Sequence, residues 1–181
     1  CSPGFFYVAP RHISRIQPAL SGWLGHAAPF EFEKNYRPGV AIERMRIGTP
    51  SVISSASLES ALDIWDMVEI ADVRSASISL SDLFITTIEA TCPMMTLASP
   101  RNATARGSQV SFQFNNGYSA VQALIARGVI GDFRTPNIMR FGFTPLYIDK
   151  EDVLLACEII CDVMQNKLWD KPEYQVKAQV T

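Results

Sequence analysis

Three stretches of the chain combine residue types that could do chemistry, and each has a plain structural alternative. In Ser21-Gly22-Trp23-Leu24-Gly25-His26 a tryptophan stands between glycines beside a histidine. An indole carries one N–H donor on a large flat apolar body, so Trp23 at a loop tip could pack on a ligand and bond its anionic oxygen. The alternative is a Trp that fills its own core. Gly48-Thr49-Pro50-Ser51 stands directly before a long helical pattern. Hydroxyls and free amides at a helix start favour an anion, because unbonded N–H groups and the helix dipole act together, yet ordinary capping uses the same residue types. The third stretch, Ile138-Met139-Arg140-Phe141-Gly142-Phe143, sets an arginine among apolar residues. A buried guanidinium needs an anionic partner, and its fork matches a carboxylate bidentately. Arg140 therefore binds either a ligand carboxylate or an internal Asp or Glu.

Other chemistries find little support. There is no Ser/His/Asp set, Walker loop or GxGxxG fingerprint, and Gly22-Trp23-Leu24-Gly25 is not a phosphate loop by spacing alone. Cys1, Cys92, Cys157 and Cys161 lack the paired CxxC spacing of a zinc site, and only two histidines accompany them, so no metal is expected. Cys157 and Cys161, four apart in an apolar helical pattern, read as small buried hydrophobes rather than a redox pair. Lys150, Lys167, Lys171 and Lys177 fall at polar helix ends or in the tail, where solvated charge is the common role.

The elements that must position these residues follow from periodicity. Phe5 to Ala9 is a short apolar and aromatic run closed by Pro10, which suits a buried strand. Residues 11 to 50 hold Pro18, Pro29, Pro38 and Pro50 and glycines at 22, 25, 39 and 48, so loops dominate there. From Ser51 the pattern turns helical and predicts two successive helices, or one bent helix, over about 52 to 91, ended by Cys92-Pro93. Met94 to Ala98 and Val110 to Phe114 read as strands of a half-exposed sheet. Ser119 to Arg127 predicts a helix stopped by Gly128, and Ile138 to Tyr147 a strand interrupted by Gly142 and Pro145. Asp149 and Asp152 frame a capping box for a last helix with Val153, Cys157, Ile160, Met164 and Leu168 as its buried stripe. After Trp169 the chain turns polar and is expected to fray. The order of elements is that of an α/β or α+β fold, with residues 1 to about 60 ending one domain and the rest forming a smaller layer.

At 181 residues and 48% hydrophobic content the chain can bury a sizeable core. Its net charge of −2, with no block of like charges, gives no electrostatic footprint for nucleic acid or an anionic membrane. No charged leader precedes an apolar run, and no apolar stretch approaches the ~20 residues needed to cross a bilayer. A soluble protein of a reducing cytoplasm is expected, and a start at Cys1 close to a core-like run suggests a fragment.

Taken together, the strings resemble kynureninase. They run from Tyr7-Val8-Ala9-Pro10-Arg11-His12 through Ser21 to His26 and Gly48-Thr49-Pro50, then Arg106-Gly107-Ser108-Gln109-Val110-Ser111-Phe112 and Arg127-Gly128-Val129-Ile130-Gly131-Asp132, ending at Ile138 to Tyr147. Members of that family are pyridoxal-phosphate (PLP) hydrolases that cleave L-kynurenine to anthranilate and L-alanine in tryptophan catabolism. The resemblance implies the C-terminal part of a fold-type I PLP enzyme of the aspartate aminotransferase superfamily. Residues 1–60 would be the end of the large PLP-binding domain and residues 61–181 the small C-terminal domain. It implies that Trp23 and Thr49 contact the cofactor phosphate, Thr49 across a homodimer, and that Arg140 binds the substrate α-carboxylate.

The PLP lysine, its neighbouring Tyr, the Asp on the pyridinium nitrogen and the ring-stacking aromatic all precede the matched stretch in that family. None can be assigned here, so no catalytic residue is expected within the chain and the chain alone is expected to be inactive. Cys1-Ser2-Pro3-Gly4 also departs from the glycine-rich segment the family has there. Two rivals stand beside this reading. One is a cysteine desulfurase-like PLP enzyme, for which Cys92 would be the nucleophile. The other is a non-catalytic module that only dimerises or associates with a partner.

Overall fold

A computed structural model describes residues 4–176, so Cys1 and Lys177 lie outside the described residues. The chain divides into two compact units, Cys1–Met67 and Val68–Thr181.

The first unit is built mostly of loop, as its prolines and glycines require. It contains a short helix α1 (Pro10–Ile13), two 3-10 turns at Trp23–Gly25 and Ala41–Met45, and one full helix α2 (Val52–Trp65). Pro10 opens α1, where its fixed φ suits the first turn and its missing N–H costs nothing. Among the described residues of this unit only Gly25 and Gly39 are buried. The unit is held backbone against backbone instead: Gly39 N–H donates to the Gly25 carbonyl at 2.7 Å, and Ala27 N–H to the Arg37 carbonyl at 2.8 Å. The expected strand at Phe5 to Ala9 does not form. An extended run becomes a strand only when a neighbour completes its ladder, no described residue pairs with it, and Phe5 stands 96% exposed.

The second unit has a four-stranded antiparallel sheet of order β1-β2-β4-β3, from β1 (Thr96–Leu97), β2 (Gln109–Gln113), β3 (Asp132–Arg134) and β4 (Ile138–Gly142). Helices α3 (Ile70–Thr91), α4 (Gly117–Ile125), α5 (Lys150–Gln165) and α6 (Pro172–Gln175) accompany it. Strand alternation separates two faces. Val110 and Phe112 of β2 and Met139 and Phe141 of β4 are buried with Leu80, Phe84, Ile85 and Ile88 of α3, Val121 and Leu124 of α4, and Val153, Cys157, Ile160 and Val163 of α5. Phe84 anchors this core, its ring 6.0 Å from Phe112, 5.1 Å from Phe141 and 5.1 Å from Phe143. The other face carries the row Ser111, Arg140, Asp132 across β2, β4 and β3.

Local chemistry closes the helices as their residues dictate. Gly128, at φ +89°, turns the chain after α4 while Val129 N–H reaches the Leu124 carbonyl and Gly128 N–H the Ile125 carbonyl, both at 3.0 Å. This is the two-bond C-terminal motif that favours glycine. The Asp149 and Asp152 capping box at α5 is present. Helix α5 ends earlier than the apolar stripe predicts: Lys167 adopts φ +52° and Leu168 N–H bonds the Val163 carbonyl at 3.0 Å, so Leu168 reaches the core from beyond the helix. The tail does not fray at Trp169. Pro172 starts α6, and Tyr174 packs against the core. Strand β3 was not expected, although Asp132-Phe133-Arg134 alternates polar and apolar residues, because three residues are too few to read as a period.

Candidate functional site

The Trp23 turn and the Thr49 loop lie side by side in the first unit, and a glycine makes this possible. A Cβ built at Gly22 would sit 1.7 Å from the Ile47 carbonyl oxygen, so the two backbones touch only because residue 22 has no side chain. Gly25, two residues beyond Trp23, is pressed in the same way by the Arg44 and Arg46 carbonyls, 2.6 and 2.8 Å from an imagined Cβ. The 3-10 turn therefore lies flat against residues 44–47 and holds Trp23 out, 47% exposed, its ring edge-on to Phe30 at 5.5 Å and 78°. Ser51 is the N-cap of α2, with Ser54 N–H donating to its Oγ at 3.4 Å. Capping thus falls to Ser51, and Thr49, two residues earlier, is exposed. Neither Trp23 Nε1 nor Thr49 Oγ1 donates to a protein group among the described residues, so both donors are available to a ligand.

A recess of about 450 Å³ opens beside Trp23, lined by His26, Phe32, Glu33, Lys34 and Tyr36 among others. His26 is occupied by the fold: its Nδ1 accepts from Ala28 N–H at 2.9 Å, and Nε2 faces the Asn35 carbonyl at 3.2 Å. These bonds assign the Nε2–H tautomer. Arg37 binds Glu33 through Nε and Nη2, and this pairing holds the Glu33 carboxyl below its usual range. Lys34, which the sequence reading passed over, is exposed at the same recess.

Arg140 lies in the second unit on β4, on the sheet face away from the core. Its register partners are Ser111 on β2 and Asp132 on β3. Asp132 Oδ2 accepts from Arg140 Nη2 at 2.5 Å and from Arg134 Nη2 at 3.2 Å. The internal acidic partner considered for Arg140 therefore exists, but it engages one nitrogen, and Arg140 Nε is buried without a partner. Arg106 is the contrasting case. Its side chain is 2% exposed and both of its terminal nitrogens are engaged, donating to the Pro100 and Arg101 carbonyls, Ser81 Oγ and Asp82 Oδ1, which makes it a structural clamp between α3 and the loop before β2, although its Nε, like that of Arg140, is buried without a partner.

Cys92 ends α3 and is completely buried, and burial pushes its thiol up. Among the described residues no group of His, Cys, Asp and Glu is arranged to hold a metal. No helix among them is long and apolar enough to cross a membrane.

Residues 73–160, inside the second unit, match the family described as the kynureninase C-terminal domain. Across 99% of its length the chain is 42% identical to the kynureninase of Pseudomonas fluorescens, and it spans 44% of that protein. The fold is similar to parts of solved structures at low identity. A cysteine desulfurase from Thermococcus onnurineus NA1 superposes with a TM-score of 0.74 at 15% identity, over 88% of this chain and 42% of that one. A C-DES variant with glycine linked to its PLP cofactor gives 0.71 at 18%, over 86% and 40%. The likeness to these structures concerns the fold, whereas the sequence relationship is to kynureninases, whose C-terminal domain model matches residues 73–160 of this chain.

Proposed function

We propose that this chain supplies the phosphate contacts and the carboxylate contact of a PLP-dependent kynureninase, which hydrolyses L-kynurenine or its 3-hydroxy derivative to the corresponding anthranilate and L-alanine. The observation that carries the reading is the Gly22–Ile47 apposition. It fixes the turn that holds Trp23 outward with its indole N–H available to one phosphate, and the Thr49 hydroxyl beyond Ile47 is available to another. PLP, when bound, supplies the electron sink for cleavage of the carbon–carbon bond.

In this reading Trp23 Nε1 and Thr49 Oγ1 donate to phosphate, Thr49 to that of a second copy in a homodimer. Helix α2 supports such an assembly, since none of its residues is buried and Val52 and Ile53 are 75% and 82% exposed. Arg140 orients the amino acid through its carboxylate, and orientation of this kind can lower a barrier by several kcal/mol. Residues 1–60 would belong to the large cofactor domain and residues 61–181 to the small domain. The chain itself contributes no catalytic residue. Three free thiols suit a reducing cytoplasm. The desulfurase alternative needs an accessible nucleophile, and Cys92, at 0% exposure, does not offer one.

The test is a fusion of this chain to the N-terminal part of the Pseudomonas fluorescens relative, assayed for kynurenine hydrolysis. Trp23→Phe and Thr49→Ala should each weaken PLP retention about tenfold, the effect of one lost charge-assisted hydrogen bond. Arg140→Lys should hold PLP and lose roughly tenfold to a hundredfold in kcat/KM, because an ammonium lacks the fork. A folded, PLP-loaded fusion that leaves kynurenine intact overturns the proposal.

A further inference from the structure

The second unit gathers three thiols that the proposed reaction does not use. Cys157 and Cys161 lie one turn apart on α5, and the same face carries Gln165. Gln165 Nε2 donates to the Thr91 carbonyl at 3.2 Å, which lays this face against the last turn of α3, immediately before Cys92. Cys161 lines one groove with Thr91, the residue before Cys92, and Thr91 Oγ1 donates to the Cys92 sulfur at 3.7 Å. The three differ in access. Cys92 is 0% and Cys157 2% exposed, whereas Cys161 is half-buried and lines a groove of about 470 Å³ together with Thr87, Thr91 and Glu158.

An accessible thiol beside a buried one is the arrangement in which oxidation of the first is resolved by the second. We propose that Cys161 and Cys92 form a reversible oxidation site for a hydroperoxide. With hydrogen peroxide, the Cys161 thiolate attacks one oxygen, the O–O bond breaks, and Cys161 sulfenic acid and water result once the released hydroxide takes up a proton. The Cys92 sulfur then displaces hydroxide from the sulfenic sulfur, and its own proton completes a second water as the S–S bond forms. Two thiols lose two electrons and two protons, and one peroxide is reduced to two waters.

Cys157 is the obvious competitor and is poorly suited to the link. It shares the helix with Cys161, so their Cβ vectors run alongside one another instead of converging. A Cys92–Cys161 link would pin the end of α3 to α5 at the wall of the groove. It leaves the expectation that Cys157 and Cys161 are not a redox pair in place, and it stands independently of the proposed PLP chemistry.

The test treats the chain with excess hydrogen peroxide near neutral pH, blocks remaining thiols under denaturing conditions and maps the peptides by mass spectrometry. The expected product is a Cys92–Cys161 peptide pair about 2 Da lighter than its two thiols, restored by dithiothreitol. The link should persist in Cys157→Ser and vanish in Cys161→Ser, a substitution at a half-exposed site that leaves the core in place. A bond from Cys161 to any other cysteine, sulfinic acid at Cys161 with Cys92 still reduced, or three unreacted thiols would each overturn the proposal.

Discussion

Asp132 holds Arg140 across the β3–β4 pair by one ionic hydrogen bond of 2.5 Å, in a register that sets the two residues directly opposite. The same carboxylate oxygen also receives Arg134, so one acidic group serves two guanidiniums while Arg140 Nε lies buried without a partner. The side chain is 27% exposed and only Nη2 is bonded among the described residues, so a ligand carboxylate could add to the hydrogen bonding of Arg140.

This pair should contribute little to stability. The side chains of Arg140 and Asp132 are 27% and 45% exposed, and solvent screens such pairs to about 1 kcal/mol or less. Asp132→Asn should cost no more than that in urea unfolding, whereas Arg106→Met, which abandons two carbonyls, a hydroxyl and a carboxylate around a buried side chain, should cost about 3 kcal/mol. Equal losses in the two variants would make Arg140 a clamp of the same kind as Arg106.

Gly22→Ala should disturb the first unit out of proportion to one methyl group, because the clash is with the Ile47 backbone and not with a side chain that can swing away. Gly48→Ala is the control, since an added Cβ there meets nothing within 4 Å. Limited tryptic cleavage at Arg44 and Arg46 should accelerate about tenfold in the first variant, as expected for a local loss of ~1.4 kcal/mol, and stay near wild type in the second. Similar rates in both would show that the contact can relax.

Cys157 should make the fold sensitive to alkali. Its thiol is raised by burial from an ordinary 9.0 to about 12, so the native state keeps the proton where the unfolded chain releases it. The contribution is complete below pH 9 and is lost as pH rises toward 12. Between pH 9 and 11 the Tm of the wild type should therefore fall more steeply than that of Cys157→Ala. Parallel curves would show that Cys157 titrates alike in both states.

Asp149→Ala removes the acceptor of the Glu151 and Asp152 amides, at 2.8 and 3.0 Å, and half of the reciprocal box. A loss of about 1 kcal/mol is expected in chemical denaturation. No change would mean that tertiary packing alone fixes the start of α5.

Much of the second unit was legible because its signals are periodic or chemical. The apolar steps of α3, the alternation of Val110 and Phe112, the stop at Gly128 and the box at Asp149 each follow from residue types within a few positions. What escaped depends on partners distant in sequence. Phe5 to Ala9 has strand composition and no strand beside it. Asp132-Phe133-Arg134 is a strand because β4 lies alongside, and Asp132 became the partner of Arg140 only through that register. Leu168 joined the core through a turn at Lys167 that no apolar period announces. For the candidate site, residue types pointed to Trp23, Thr49 and Arg140, but the fact that Gly22 permits the approach of Ile47 is visible only in three dimensions.

The two buried residues among those described in the first unit, Gly25 and Gly39, have no side chains to bury. A conventional core tolerates exchange of one hydrophobe for another of similar volume. This unit has no such freedom, because the space around Gly25 is already filled by the Arg44 and Arg46 carbonyls and the Tyr36 hydroxyl, and that around Gly39 by the Gly25 carbonyl. In a saturation scan read out by folding alone, the aliphatic positions of α2 would accept many residues, Gly25 would accept none, and Gly39 would accept few. The specificity of the unit thus resides in positions where little or nothing can be added, and its evolutionary drift would be widest where it carries the most apolar side chains.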